Sequence, residues 1–86
     1  MKLRFLDGFR TDYDLLRAEL RAKVDRALAL LLTNPRHPSL CVKKMQGRSG
    51  IWEARVDRQH RMTFRIEGDL YVLRGVGKHD ETLKRP

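Results

Sequence analysis

Residues 51–66 read IWEARVDRQHRMTFRI, and apolar and polar side chains alternate along most of this stretch. The alternation is typical of strands with one buried face and one polar face, because successive side chains point to opposite sides of a sheet. It predicts two antiparallel strands, at residues 51–57 and 60–66. Their buried face is expected to hold Trp52, Ala54, Val56, Met62, Phe64 and Ile66.

The register of this hairpin follows from its two faces. The apolar residues share one face only if opposed residues have numbers with an even sum, because a slip of one residue turns a strand over. A two-residue turn at Arg58 and Gln59 gives odd sums, so the connection is predicted to contain three residues or a bulge. Arg55 then lies opposite either Arg61 or Thr63.

The polar face of the hairpin gathers Arg55, Arg61 and Arg65, with Glu53 among them. Like charges side by side on neighbouring strands lower stability, so such a face favours an anionic ligand. The alternative is a solvated surface without a ligand, since long arginine side chains extend readily into water.

The remaining chain contains two more strand patterns and one long helical pattern. Residues 70–76 predict an inner strand and residues 2–6 a short first strand. Apolar residues recur at helical spacing through residues 9–33, where there is no Gly or Pro, and Asn34–Pro35 ends the pattern. One helix or a hairpin breaking near residues 16–19 fits the periodicity. The hairpin is favoured, because a single helix would be about 37 Å long, more than the width of a compact domain of this size.

The chain has 86 residues, and residues 1–86 are predicted to form one small domain. A hydrophobic content of 41% argues against disorder. The longest apolar run has six residues, far fewer than the roughly 20 of a membrane span. The N-terminus lacks the apolar core of a signal peptide. A cytoplasmic protein without a membrane partner is therefore expected.

Positive charge is the strongest compositional signal. Lys and Arg number 19 against 11 Asp and Glu, which gives a net charge of +8 at pH 7. Residues 36–65 hold eight cations and two anions and so carry +6 of that total. Such a concentration of charge suits a polyanion, which is either a nucleic acid or an acidic protein.

Several kinds of catalytic site do not fit the residues present. Cys41 is the single cysteine and the three histidines fall on different elements, so no zinc-type ligand spacing is found. The sequence has no Gly-rich phosphate loop, and Ser39 and Ser49 lie in loops without a nucleophile motif. Neither a metal nor a cofactor is expected.

RNA cleavage without a metal ion remains compatible with the sequence, because it needs fixed positive charge on the phosphate and groups that move protons. Arginines provide the charge, and histidine exchanges protons near neutral pH. His79 follows the last predicted strand, where a side chain can turn over the polar face. The alternative for His79 is a surface residue beside Asp80.

The order of the elements and four short segments resemble the RelE/ParE toxin superfamily of toxin–antitoxin modules over essentially the whole chain. The segments are residues 34–38 (NPRHP), 52–56 (WEARV), 60–64 (HRMTF) and 76–80 (VGKHD). The resemblance implies an α+β fold of order β-α-α-β-β-β, in which a helical hairpin packs on one face of a small antiparallel sheet and the opposite face is basic.

RelE-type members of this superfamily enter the ribosomal A site and cut mRNA without a metal ion, whereas ParE-type members poison DNA gyrase. Both are silenced by a small antitoxin. The resemblance therefore implies a toxin, with ribosome-dependent mRNA cleavage as the favoured activity. Its implied partners are the cognate antitoxin, the ribosome and mRNA, with DNA reached only through the antitoxin complex. A ParE-like gyrase inhibitor and a catalytically inert basic binding protein are the alternatives.

The resemblance also implies roles for individual residues. Arg55 corresponds to a basic residue on the second strand of RelE, Arg61 to the arginine that binds the scissile phosphate, and His79 to a catalytic histidine of the YafQ-like branch. These three are the predicted catalytic residues. The predicted RNA contacts are Lys43, Lys44 and Arg65.

Two positions depart from the RelE pattern. Glu53 stands where RelE has a lysine, and the late tyrosine of RelE falls at Arg85. A base of the mRNA would then have to stack on another group.

Overall fold

The computed structural model describes residues 1–84, apart from the side chains of Glu81, Leu83 and Lys84. In chain order the elements are β1 (Lys2–Phe5), α1 (Asp7–Asp14), α2 (Ala18–Thr33), a 3-10 helix (Pro38–Leu40), β2 (Lys43–Lys44), β3 (Trp52–Arg55), β4 (His60–Glu67), β5 (Leu70–Lys78) and α3 (His79–Lys84). The predicted α+β order is confirmed, and β2, the 3-10 helix and α3 are added to it.

The strands form one five-stranded sheet in the order β1-β5-β4-β3-β2. The predicted antiparallel sheet is in fact mixed, because β1 pairs in parallel with β5 while the other neighbours are antiparallel. Side-chain alternation cannot reveal strand direction, since the period of two is the same in both kinds of pairing. Strand β2 is too short to show any period.

The helical stretch is a hairpin, as predicted. Helix α1 ends at Asp14 and α2 begins at Ala18, so the break falls at residues 15–17. The longest dimension of the domain is 31 Å, which is less than the length of about 37 Å that a single helix would need. Among the described residues, neither α1, α2 nor α3 could serve as a membrane-spanning helix.

The β3–β4 hairpin has the predicted even register. Trp52 pairs with Phe64 and Arg55 with Arg61. Three residues, 57–59, connect the pair that closes the hairpin, since the Val56 N–H donates to the His60 carbonyl at 3.0 Å. The sequence pattern allowed two registers, and the structure has the one in which Arg55 lies opposite Arg61.

The apolar residues of strand β5 do not alternate strictly, in part because its pairing with β4 contains a bulge. Thr63 pairs with Gly75 and Phe64 with Leu73, so Arg74 is the extra residue. Leu73 before Arg74 and Val76 after it therefore share the core face, whereas Val72, opposite Arg65, is buried on the other face.

The core lies between the helical hairpin and one face of the sheet. Its members are Phe9, Val24, Ala27, Leu28, Leu31, Leu40, Ala54, Met62, Phe64, Tyr71, Leu73 and Val76. The predicted core face is confirmed at its centre but not at its end, where Ile66 is 45% exposed. A cleft between α2, the 3-10 helix and the sheet reaches Ile66 and Trp52, because the helices do not cover this end of the sheet.

Candidate functional site

The polar face of the sheet brings two predicted catalytic arginines side by side. Arg55 and Arg61 are paired across β3 and β4, and Gly77 of β5 is the next neighbour of Arg61. Because the preceding pair, Val56 and His60, is hydrogen-bonded, the arginine pair is of the closer type, with Cα atoms about 4.5 Å apart. Gly77 has no side chain, so β5 places only backbone beside Arg61.

The Arg61 guanidinium is held by the β3–β4 turn. Its Nη1 donates to the carbonyl of Asp57 at 2.7 Å and to that of His60 at 2.9 Å, with the Arg58 carbonyl farther away at 3.5 Å. Its Nε and Nη2 make no hydrogen bond to any residue in the described part of the chain. One nitrogen thus fixes the planar group, and the other N–H groups remain as a forked donor that matches a phosphate.

The turn itself is held by the Asp57 carboxylate. Its Oδ1 accepts the backbone N–H groups of Gln59 at 2.9 Å and His60 at 2.8 Å, and the His60 Nδ1 lies 2.8 Å from it. Its Oδ2 lies 3.5 Å from the Lys23 Nζ of α2. Partial burial alone would raise the pKa of Asp57, but the hydrogen bonds from the His60 ring and the two backbone N–H groups outweigh it and lower the pKa from 3.8 to about 2.

Asp57 is therefore expected to stabilise the domain in a pH-dependent way. A lowered folded-state pKa gives stability that is present above about pH 4 and lost as the pH falls through about 2. With the carboxylate partly exposed, we expect Asp57→Asn to lower the free energy of unfolding by about 1–2 kcal/mol at pH 7. Urea denaturation at pH 7, 4 and 2.5 should show this difference shrinking, and a difference that stays constant would contradict the prediction.

His79 stands at the same turn. Its backbone N–H donates to the Gln59 carbonyl at 2.7 Å, which continues the β4–β5 register one step beyond the pair of His60 and Lys78. By this register His79 is a diagonal neighbour of Arg61, about 7–8 Å away between backbones. Its side chain is 42% exposed, and Nδ1 lies 3.7 Å from the Asp80 carboxylate, too far for a hydrogen bond.

The predicted RNA contacts do not form one group. Lys43 lies 3.6 Å from the Glu53 carboxylate, on the polar face. Lys44 instead sits over the Trp52 ring, with its Nζ 5.3 Å from the ring centroid, and so belongs to the opposite face. The structure therefore separates the two lysines, because neighbouring residues of a strand point to opposite sides.

Arg65 lies on the polar face but at a distance from the arginine pair. It is four residues from Arg61 along β4, or about 13 Å. Its Nη2 pairs with the Glu67 carboxylate at 2.8 Å, and its Nε is buried with no hydrogen-bond partner among the described residues. A bound anion at Arg65 would thus compete with Glu67.

The middle of the polar face is more closed than the sequence indicates. Glu53 is 4% exposed and its opposite neighbour Thr63 is fully buried. Lys43 from β2 covers Glu53, and the sequence showed no sign of this strand. The open part of the face is its end at the turn, where the register makes the backbones of Arg55, Arg61 and His79 neighbours.

Asp57 is the residue of this site that the sequence reading missed. An aspartate that starts a three-residue hairpin turn commonly accepts backbone N–H groups of the following residues, so the signal was present once the turn length was predicted. Among the described residues, no three His, Cys, Asp or Glu side chains are placed to hold a metal ion. The position of the missing RelE tyrosine, Arg85, lies outside the described residues.

The fold was compared with known proteins. No protein-family model matches the sequence, and no curated protein matches it. Among solved structures, the YoeB/ParE toxin from Agrobacterium tumefaciens has a TM-score of 0.78 at 20% identity, over 92% of this chain and 99% of that one. YafQ from E. coli strain BL21(DE3) has a TM-score of 0.76 at 18% identity, over 93% and 94% of the two chains.

A third structure, the RelB–RelE antitoxin–toxin complex from Methanococcus jannaschii, matches with a TM-score of 0.75 at 16% identity, over 96% of this chain and 99% of that one. At these identities the likeness concerns the fold. The chain has the fold of the RelE/ParE toxins over nearly its whole length, as its sequence predicted.

Proposed function

We propose that this chain is the toxin of a type II toxin–antitoxin system and cleaves mRNA on the ribosome without a metal ion. The observation that carries the proposal is that Arg61, fixed by the turn, is paired with Arg55 across β3 and β4, and that the β4–β5 register leads to His79, whose imidazole is exposed, at the same end of the sheet. The fold supports it, since solved structures with this fold are toxins, some of them in complex with antitoxins.

The arginines are assigned to the phosphate. In the reaction the 2′-hydroxyl of a ribose loses its proton to solvent and its oxygen attacks the neighbouring phosphorus, and negative charge builds on the phosphoryl oxygens as the bond to the 5′-oxygen breaks. The forked Nε and Nη2 donors of Arg61 would bind two of those oxygens, and Arg55 would add a second positive charge. Because Nη1 is already anchored to the turn, the donors are oriented before substrate binds.

His79 is assigned to proton transfer. Its imidazolium would donate a proton to the leaving 5′-oxygen, which yields a free 5′-hydroxyl and a 2′,3′-cyclic phosphate. The His60 ring is engaged by Asp57, so His79 is the imidazole at this end of the face with no hydrogen bond in the described part of the chain. With one acid and fixed charges, the orientation of the 2′-hydroxyl is left to the ribosome, since alignment alone contributes greatly to rate.

Substitution of Arg61 tests the phosphate assignment. We expect Arg61→Ala to lower the rate of mRNA cleavage on programmed ribosomes by about 10² to 10³, as for other donors that act on transition-state charge. Arg61→Lys is the matched control and should recover part of the rate, because it keeps the charge but not the planar fork. Circular dichroism should show both variants folded, and an Arg61→Ala protein with unchanged cleavage would rule out this role.

One experiment separates the proposed activity from its alternatives. The protein is expressed briefly in cells, the new 5′ ends of cellular mRNA are mapped, and gyrase supercoiling is assayed in parallel. New 5′ ends within translated regions, with normal supercoiling, are expected. Inhibited gyrase without mRNA cleavage would instead support a ParE-like inhibitor, and neither effect would support an inert basic binding protein.

The partner that silences the chain is expected to be acidic. Residues 36–65 carry a net charge of +6, and an antitoxin segment that orders on binding would need complementary charge to cover them. The dissociation constant of the complex should therefore rise steeply between 50 and 500 mM salt, because exposed charge pairs are screened. An affinity that does not change with salt would contradict the expected contact.

A further inference from the structure

Two of the proposed catalytic residues are held by the same three-residue turn, residues 57–59. The Arg61 Nη1 donates to the Asp57 carbonyl at 2.7 Å, and the His79 backbone N–H donates to the Gln59 carbonyl at 2.7 Å. Both acceptors are backbone carbonyls, so their directions depend on the conformation of the turn. The turn thus sets where the guanidinium and the imidazole stand relative to each other.

The conformation of this turn depends on one side chain, that of Asp57. The Asp57 Oδ1 accepts both backbone N–H groups that follow it and lies 2.8 Å from the His60 Nδ1. Its Oδ2 is paired with Lys23 of α2, which ties the turn to the helical layer. The carboxylate therefore faces the backbone, His60 and Lys23, and it is the carbonyl of Asp57 that the Arg61 guanidinium bonds.

We propose that Asp57 is a positioning residue, which acts on the reaction by fixing the turn that orients Arg61 and His79. The proposal rests on the proposed mRNA cleavage. It assigns Asp57 no contact with substrate, because its carboxylate oxygens are already engaged within the domain. A loss of orientation is expected to lower the rate of the bound complex more than the affinity, since a displacement of about 1 Å can cost as much as 10²-fold in rate.

The first test compares three substitutions in steady-state cleavage, with programmed ribosomes in excess over the protein. Asp57→Ala, which removes the acceptor, is expected to lower kcat by about 10- to 100-fold with KM within about threefold of the unchanged protein. Asp57→Asn keeps an oxygen at the same place and should recover most of kcat. Asp69→Ala makes the same change in the other hairpin turn, where Asp69 is exposed, and should leave both constants unchanged.

The second test is a double-mutant cycle with Arg61→Ala. If Asp57 acts through Arg61, Asp57→Ala should cost far less in the Arg61→Ala background than in the unchanged protein. If Asp57 only stabilised the fold, Asp57→Ala would lower kcat by the same factor in both backgrounds. If Asp57→Ala fails to fold, Asp57→Ser takes its place in the cycle, because a hydroxyl makes the same turn contacts more weakly.

A third measurement does not depend on activity. In NMR spectra, Asp57→Ala should speed solvent exchange of the His79 amide by about tenfold or more beyond the change seen for core amides, which reports the loss of global stability, while Asp57→Asn should change both kinds of amide alike. Wild-type protein that cleaves no mRNA would overturn the proposed function, and the exchange rates would still decide whether Asp57 holds His79. If the wild type cleaves mRNA, any of three results would overturn the positioning role. These are an Asp57→Ala variant with the same kcat, additive losses in the double-mutant cycle, or an unchanged exchange rate of the His79 amide relative to core amides.

Discussion

Replacing His79 by alanine is expected to slow mRNA cleavage by about 10² to 10⁴, the usual range for a general acid, and to leave the domain folded. The side chain is 42% exposed and makes no hydrogen bond to a described residue, so its removal opens no cavity. His79 contributes to the fold through its backbone N–H, which donates to the Gln59 carbonyl. Alanine keeps this hydrogen bond. The effect should therefore fall on kcat and not on stability.

The measurement is single-turnover cleavage of mRNA on programmed ribosomes, with thermal unfolding of the same samples. His37→Ala is the matched control, since the His37 ring is hydrogen-bonded to Ser39 beside the 3-10 helix and lies outside the site. If His79→Ala keeps full toxicity while Arg61→Ala loses it, proton transfer by His79 is wrong. A gyrase inhibitor, or cleavage driven by arginine charge alone, would then be favoured.

Replacing Phe64 by alanine is expected to lower the free energy of unfolding by about 3–5 kcal/mol. Phe64 is fully buried in the core, and its ring meets the Tyr71 ring edge-on with centroids 5.5 Å apart. A domain of this length has a total stability of only about 4–13 kcal/mol, so the change removes a large share of it and should lower the unfolding temperature strongly. Above that lowered temperature, toxicity should be lost together with antitoxin binding.

The matched control for this change is Ile66→Ala, two residues along the same face of β4. Ile66 is 45% exposed at the uncovered end of the sheet, so its loss should cost far less than that of Phe64. Urea denaturation of both variants measures the two costs. Similar costs at the two positions would contradict the helical cover described for this face.

The β3–β4 hairpin could be predicted in detail because alternation encodes both of its faces. The even register follows from that pattern and is confirmed. The pattern left open a three-residue turn or a bulge, and Arg61 or Thr63 opposite Arg55; the structure has the three-residue turn and Arg61. The helical hairpin was favoured by a limit on length, which the 31 Å extent of the domain bears out. In both cases a local pattern was sufficient for the prediction, because the two strands, like the two helices, are close in sequence.

The features that could not be predicted depend on contacts between distant segments. The two residues of β2 show no period, so neither the burial of Glu53 nor the separation of Lys44 from Lys43 could be inferred. The parallel pairing of β1 depends on a strand nearly 70 residues later. The roles of Arg55, Arg61 and His79 stay predictions until the variants are measured.

The position of β5 in the sheet has a consequence for the timing of synthesis. The last strand lies between β1 and β4, and Lys2–Phe5 pair with residues 70–73. During synthesis β1 therefore has no partner until β5 has emerged from the ribosome, and such distant pairing forms slowly. His79 follows β5, so an incomplete chain lacks both the sheet and the proposed acid. A protein proposed to attack ribosomes would thus remain harmless to the one that is still making it.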